Sequence, residues 1–241
     1  MEFTYKEYEK LIGVLKKSGY TICGYENYLL YEKPVILRHD VDMSIEKAFE
    51  MALIEYGMGV KSTYYVLISS DFYNVYSKYN IERLRKMQLM GHTIGLHFDE
   101  ERWEDNVLKA IEKEVDILEK MLEKEVVSVS MHRPSDITLK SNYEIKAGRV
   151  INSYSKTFFE EFKYVSDSRR NWREDIFKII ESGQYNRLHI LTHPMWYAQN
   201  EKGAKETLSE FCKNKVYECY DILDANIRDL SQILQKEELE R

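Results

Sequence analysis

Val35-Ile36-Leu37-Arg38-His39-Asp40-Val41-Asp42 is the stretch from which the organisation of this chain is read. Three apolar residues, opened by Pro34, run into four polar or charged ones around a single valine. That pattern predicts a buried strand whose carboxyl end carries polar groups, the end at which α/β proteins bind their ligands. Asp40 and Asp42 stand one residue apart beside an imidazole, and they repel each other unless a positive charge shares the site. A divalent metal answers this, because it takes one carboxylate as a ligand and leaves the other free as a base. The plainer reading is an Asp-rich loop capping the next helix, with Ser44 ahead of Ile45, Ala48, Phe49 and Ala52. The two readings part on whether later segments return ligands to the same place.

The 241 residues are 44% hydrophobic and 32% charged, as in a soluble globular protein with a sizeable core. No linker, repeat or low-complexity stretch interrupts them, so one domain over residues 1–241 is expected, with a first helix over 4–18 and a last over about 203–236. A net charge of -6, without a basic run among aromatics, argues against a nucleic-acid surface. Cys23, Cys212 and Cys219 are a sparse, odd set that suits a reducing compartment. Met1 to Tyr20 is rich in Lys and Glu without an apolar core, and no apolar stretch approaches membrane-spanning length. A cytoplasmic address without a membrane-spanning segment is the expectation, and the oligomeric state is not legible.

Apolar spacing predicts further elements in alternation: a helix to about Tyr56, a strand over 60–68, a helix over 81–90 and a short strand over 92–97. A helix face follows at Leu108, Ile111, Val115, Leu118 and Leu122, then strands over 126–131 and 188–192. Residues 137–164 read as short strands and loops. Such alternation predicts a parallel sheet, open or closed into a barrel.

Four of the six histidines, His39, His97, His132 and His193, fall at the ends of these strands, whereas His92 and His189 read as structural. If residues 98–103 begin a helix, Glu101 lies at i+4 from His97 on one face, a spacing that suits two metal ligands. The plainer reading of Asp99-Glu100-Glu101 is a solvated helix start. His132 is the rival third ligand.

In this order the pieces resemble the polysaccharide deacetylase family (carbohydrate esterase family 4), over roughly residues 34–196. The resemblance implies a distorted (β/α) barrel of about seven parallel strands. It makes Asp40 the catalytic base and Asp42 a metal ligand. Gly91-His92-Thr93-Ile94-Gly95-Leu96-His97 is similar to the lead-in of the family's histidine pair: His97 matches the first, and the second falls on Glu101. His132-Arg133-Pro134 resembles the motif whose arginine orients the base, and Asp167, Ser168 and Trp172 resemble the fourth motif. Leu191-Thr192-His193-Pro194 matches the fifth, whose histidine is the general acid and would be oriented by Asp167.

A zinc-type ion on Asp42, His97 and a third ligand would activate a water for amide hydrolysis. Asp40 would take its proton and His193 would protonate the departing amine. His132 is preferred as the third ligand, since two imidazoles and a carboxylate are a common zinc set. Trp172 and Trp196 are candidate apolar walls for a sugar ring, against the plainer reading of Trp196 as core or rim. The expected substrate is an N-acetylated sugar or glycan precursor. The alternatives are a cyclic amide or imide hydrolase on the same fold and a carbohydrate-binding relic without activity.

Overall fold

The chain opens with helix α1 (Tyr5–Lys17), capped by the Thr4 hydroxyl, and strand β1 (Thr21–Cys23). Strand β2 (Pro34–Val41) is buried along its whole length, and Ser44 caps helix α2 (Ile45–Gly57). Then come β3 (Thr63–Leu67), α3 (Lys78–Leu89), β4 (Thr93–Asp99), α4 (Val107–Leu122), β5 (Ser128–His132) and α5 (Asp136–Ser141). Next are β6 (Ile151–Asn152), β7 (Lys163–Ser166), α6 (Ile176–Ser182), β8 (Leu188–Thr192) and α7 (Ala204–Asn226). This computed structural model describes residues 1–103 and 106–239. The chain divides into two compact units, Met1–Gln199 and Asn200–Arg241. In the second, α7 stops at Asn226, and two 3-10 turns (Leu230–Gln232 and Lys236–Leu239) follow it.

Every strand pair is parallel, in the order β6-β5-β4-β3-β2-β8-β7, with β1 beside the first residues of β2. Seven strands therefore curl into a distorted (β/α) barrel whose end strands β6 and β7 do not pair. The two faces follow from strand alternation. Val35 and Leu37, with Leu188 and Ile190, pack outward against α1 and α6. Tyr64, Val66, Ile94, Leu96, Phe98, Val129 and Met131 pack outward with α2, α3 and α4. The alternate residues turn inward, where Ile36 and Tyr65 join Tyr25, Phe158 and Phe162. The interior is unusually polar: Arg38, Asp40, His97, Ser128, Ser130, Ser153 and His189 are all buried.

Parity explains two histidines. His39 lies on the opposite face from Asp40, so it does not join the strand-end histidines as the sequence suggested. Its Nε2 is 2.9 Å from Glu55 Oε1 and its Nδ1 2.6 Å from Thr192 Oγ1. Tyr8, Tyr64 and Ser62 also donate to Glu55. Burial would raise the Glu55 carboxyl, yet His39, then His92 and the Ser62 hydroxyl, bring it down to about 2. His189 is structural, 2.7 Å from the Tyr25 hydroxyl, and burial pushes its pKa well down.

Gly95 is where the interior is tightest. A Cβ there would stand 2.5 Å from the Tyr65 ring and 2.8 Å from the Ser128 carbonyl oxygen. Tyr65 has no room to retreat, being fully buried and hydrogen-bonded at 2.7 Å to Ser128 Oγ. Gly95→Ala is expected to destabilise the fold by about 1–3 kcal/mol. A urea midpoint equal to that of wild type would refute the tight contact.

Candidate active site

Four strand ends bring the polar side chains together. Asp42 follows β2, His97 lies near the end of β4, His132 closes β5 and His193 follows β8. His97 Nε2 is 3.1 Å from Asp42 Oδ1 and 3.2 Å from His132 Nδ1, and His132 Nδ1 is 3.4 Å from Asp42 Oδ1. Among the described residues this is the one Asp/His cluster with the spacing of a metal site. Three donors bound at 2.0–2.1 Å around a tetrahedral ion are about 3.3 Å apart, so the residues fit a zinc-like ion. His97 Nδ1 faces the Ser130 carbonyl oxygen at 3.3 Å. A proton on Nδ1 then leaves the Nε2 lone pair for a metal. Burial opposes charge on Asp42, but the His132 and His97 imidazoles beside it hold its carboxyl well below the usual range.

Asp40 and His193 flank this triad. Asp40 Oδ2 is 3.8 Å from His97 Nε2, and His193 Nε2 is 3.9 Å from Asp42 Oδ2. Asp40 is buried and held by Arg38 Nη2 at 3.0 Å and by the Ser130 hydroxyl at 3.3 Å. Arg38 is itself anchored by Ser153 Oγ at 2.9 Å and the Tyr154 hydroxyl at 3.3 Å. His193 Nδ1 lies 2.6 Å from Asp167 Oδ1, while the other Asp167 oxygen accepts from the His193 backbone N–H and the Tyr197 hydroxyl. Burial disfavours a charged His193, yet the Asp167 carboxylate overcomes this and raises its pKa to about 9. The Asp167 carboxylate and the His193 imidazole are thus joined in the structure.

Two other placements differ from the sequence expectation. Residues 100–102 form a single 3-10 turn after β4, so His97 and Glu101 share no helix face. Glu101 is 62% exposed and pairs with Arg133 Nη1 at 3.4 Å, outside the triad. Arg133 does not reach Asp40. Its backbone turns left-handed (φ 49) directly after β5, and its exposed guanidinium meets Asp99 at 3.0 Å. Arg38 stands where Arg133 was expected. The signal was available in the sequence: residues 38 and 40 share a strand face, and residues 40 and 133 need not.

Trp172 and Trp196 pack, half-buried, with the cluster around α1 and α6. The cleft beside Asp42 and His132 is lined instead by Leu67, Ser69, Asp71, Phe72, Arg102 and Arg133. Tyr73 fixes the loop that forms one wall, donating to the Val41 carbonyl at 2.6 Å and accepting from the Leu67 N–H at 2.9 Å.

The chain is similar in backbone course to several solved deacetylases. One, a Streptococcus pyogenes deacetylase in complex with acetate, is 15% identical over 77% of this chain and 79% of its own, with a TM-score of 0.46. A family 4 carbohydrate esterase from Bacillus anthracis is 16% identical over 83% and 81%, with a TM-score of 0.42. A family 4 pseudoenzyme from Bacillus anthracis is 13% identical over 76% and 62%, with a TM-score of 0.47. No family model and no curated protein matches the chain. Among the described residues no helix is long and apolar enough to cross a membrane.

Proposed function

We propose that this protein is a divalent-metal-dependent hydrolase that removes an N-acetyl or similar acyl group from a sugar or glycan precursor, as a divergent polysaccharide deacetylase. One observation carries the reading: three donor atoms 3.1–3.4 Å apart, with a buried carboxylate at 3.8 Å on one side and an aspartate-held imidazole at 3.9 Å on the other. Asp42, His97 and His132 are the residues that would hold the ion, and two imidazoles with one carboxylate favour zinc. Such an ion supplies an acidified water and a polarised acyl oxygen.

The rest falls to the chain's own groups. Asp40 Oδ2 receives the proton of the attacking water, and Arg38 and Ser130 fix the direction of that carboxylate. His193, protonated at neutral pH, gives the proton on Nε2 to the leaving nitrogen. Asp167 accepts from Nδ1 and stabilises the imidazolium. The serines, acids and arginines of the cleft wall suit the hydroxyls of a sugar better than an apolar substrate. A cytoplasmic address belongs to the same proposal and rests on the sparse cysteines, all free.

Purified protein is expected to carry about one divalent ion and to release acetate from an N-acetylated sugar conjugate, with chelation abolishing release and zinc restoring it. Metal is expected to be lost in Asp42→Ala. His132→Ala should weaken metal affinity beyond the roughly 10–100-fold that loss of an outer partner costs, and Glu101→Gln should not. Equal metal content in wild type and Asp42→Ala, by elemental analysis, would sink the site. Metal binding without acetate release across a panel of sugar conjugates would sink the activity alone.

A further inference from the structure

The C-terminal unit leaves its long helix almost bare: α7 runs for 23 residues and buries only Tyr220. Leu208 and Leu223, and inside them Cys212 and Cys219, lie at equal spacings from the midpoint between Lys215 and Val216, while Ile222, 64% exposed, stands on their flank. At about 100° per residue Leu208, Cys212, Val216, Cys219 and Leu223 fall within one quadrant of the helix. Leu208 is 40%, Val216 42% and Leu223 37% exposed, and both cysteines are exposed and free.

We propose that α7 pairs antiparallel with α7 of a second copy of this chain, about a two-fold axis between Lys215 and Val216. Symmetric placement of the leucines and cysteines brings like residues together in a reversed copy, which is what a two-fold interface requires. Leu208 then meets Leu223 of the second copy, and Cys212 meets Cys219, each pair twice. The charges agree with this register. Lys215, the one ion within the stripe, shares a flank with Glu218 and pairs with it at 2.5 Å. Across the axis each Lys215 comes within two residues, about 3 Å along the helix, of Glu218 in the second copy. Phe211 and Ile222 of opposite copies are brought together on that same flank.

Cross-linking tests the register directly. Helices packed 8–10 Å apart, with Cα atoms at a radius of about 2.3 Å, bring facing Cα atoms to roughly 4–5 Å. That is at the short end of disulfide range. Diamide takes two electrons and two protons from a thiol pair, so full-length wild type should yield a covalent dimer on a non-reducing gel. Cys212→Ser alone and Cys219→Ser alone should each stay monomeric, and an equimolar mixture of the two should cross-link. Cys23 is buried and takes no part. A dimer formed by either single variant alone, or none from the mixture, overturns the antiparallel register. Without oxidant, sedimentation equilibrium should show association towards twice 28.8 kDa with a Kd of about 1–100 µM, as a small interface gives. Leu223→Asp should weaken it more than tenfold with unchanged helix content. A monomer throughout that range, or no effect of Leu223→Asp, refutes the proposal.

Discussion

Asp40→Asn is expected to lower kcat by about 10²–10⁴-fold while leaving the divalent ion bound. The amide keeps the size of the carboxylate and still accepts from Arg38, 3.0 Å away in the wild type, but it is far too weak a base to take a proton from water. Metal content should hold, because Asp40 lies outside the triad of Asp42, His97 and His132. KM should move little if the substrate is held by the cleft wall. Stability is also at stake. The Arg38–Asp40 pair is wholly buried, and removing one partner of such a pair costs about 3–5 kcal/mol. Asp40→Ala confounds catalysis with that loss, so Asn is the informative substitution. Turnover near the wild-type value in folded, metal-loaded Asp40→Asn would remove Asp40 from the base role.

The strand-end residues were legible because parallel strands with short apolar runs advertise where they stop. Val35 to Asp42, Leu96-His97, Met131-His132 and Leu191 to Pro194 each mark the point at which a buried run turns polar, and those points meet in space. The short elements were not legible. Helix α6 and strand β1 are too brief to show a period, and the turn after β4 carries an acidic run that resembles a helix start, the condition on which Glu101 as a ligand rests. Arg133 misled for a different reason: its left-handed backbone follows from the turn that ends β5, which no periodicity records. Glu55 stayed hidden as one more polar residue of an amphipathic helix. Only the fold shows that His39, Tyr8, Tyr64 and Ser62 converge on it.

His193→Ala is expected to cost a further 10²–10⁴-fold in kcat for substrates with a poor amine leaving group, and Asp167→Asn tests why. In the wild type, burial pulls the His193 pKa down and the Asp167 carboxylate, 2.6 Å from Nδ1, pushes it up to about 9. The acid is therefore loaded at neutral pH, and kcat should fall as pH rises through that value. An ion held by Asp42 opposes the imidazolium, so the alkaline limb belongs at pH 9 or somewhat below it. In Asp167→Asn the largest upward influence is gone while burial still opposes the charge and only Asp42 and Asp40 favour it, so the limb should move acidward by more than one pH unit. The same shift bears on folding. A folded pKa raised above 6.5 contributes stability in full below pH 6.5, and that contribution is lost as pH rises through 9. Wild type should therefore lose urea resistance between those values, and Asp167→Asn should lose less. An alkaline limb at the same pH in both proteins would show that Asp167 does not set the proton on His193.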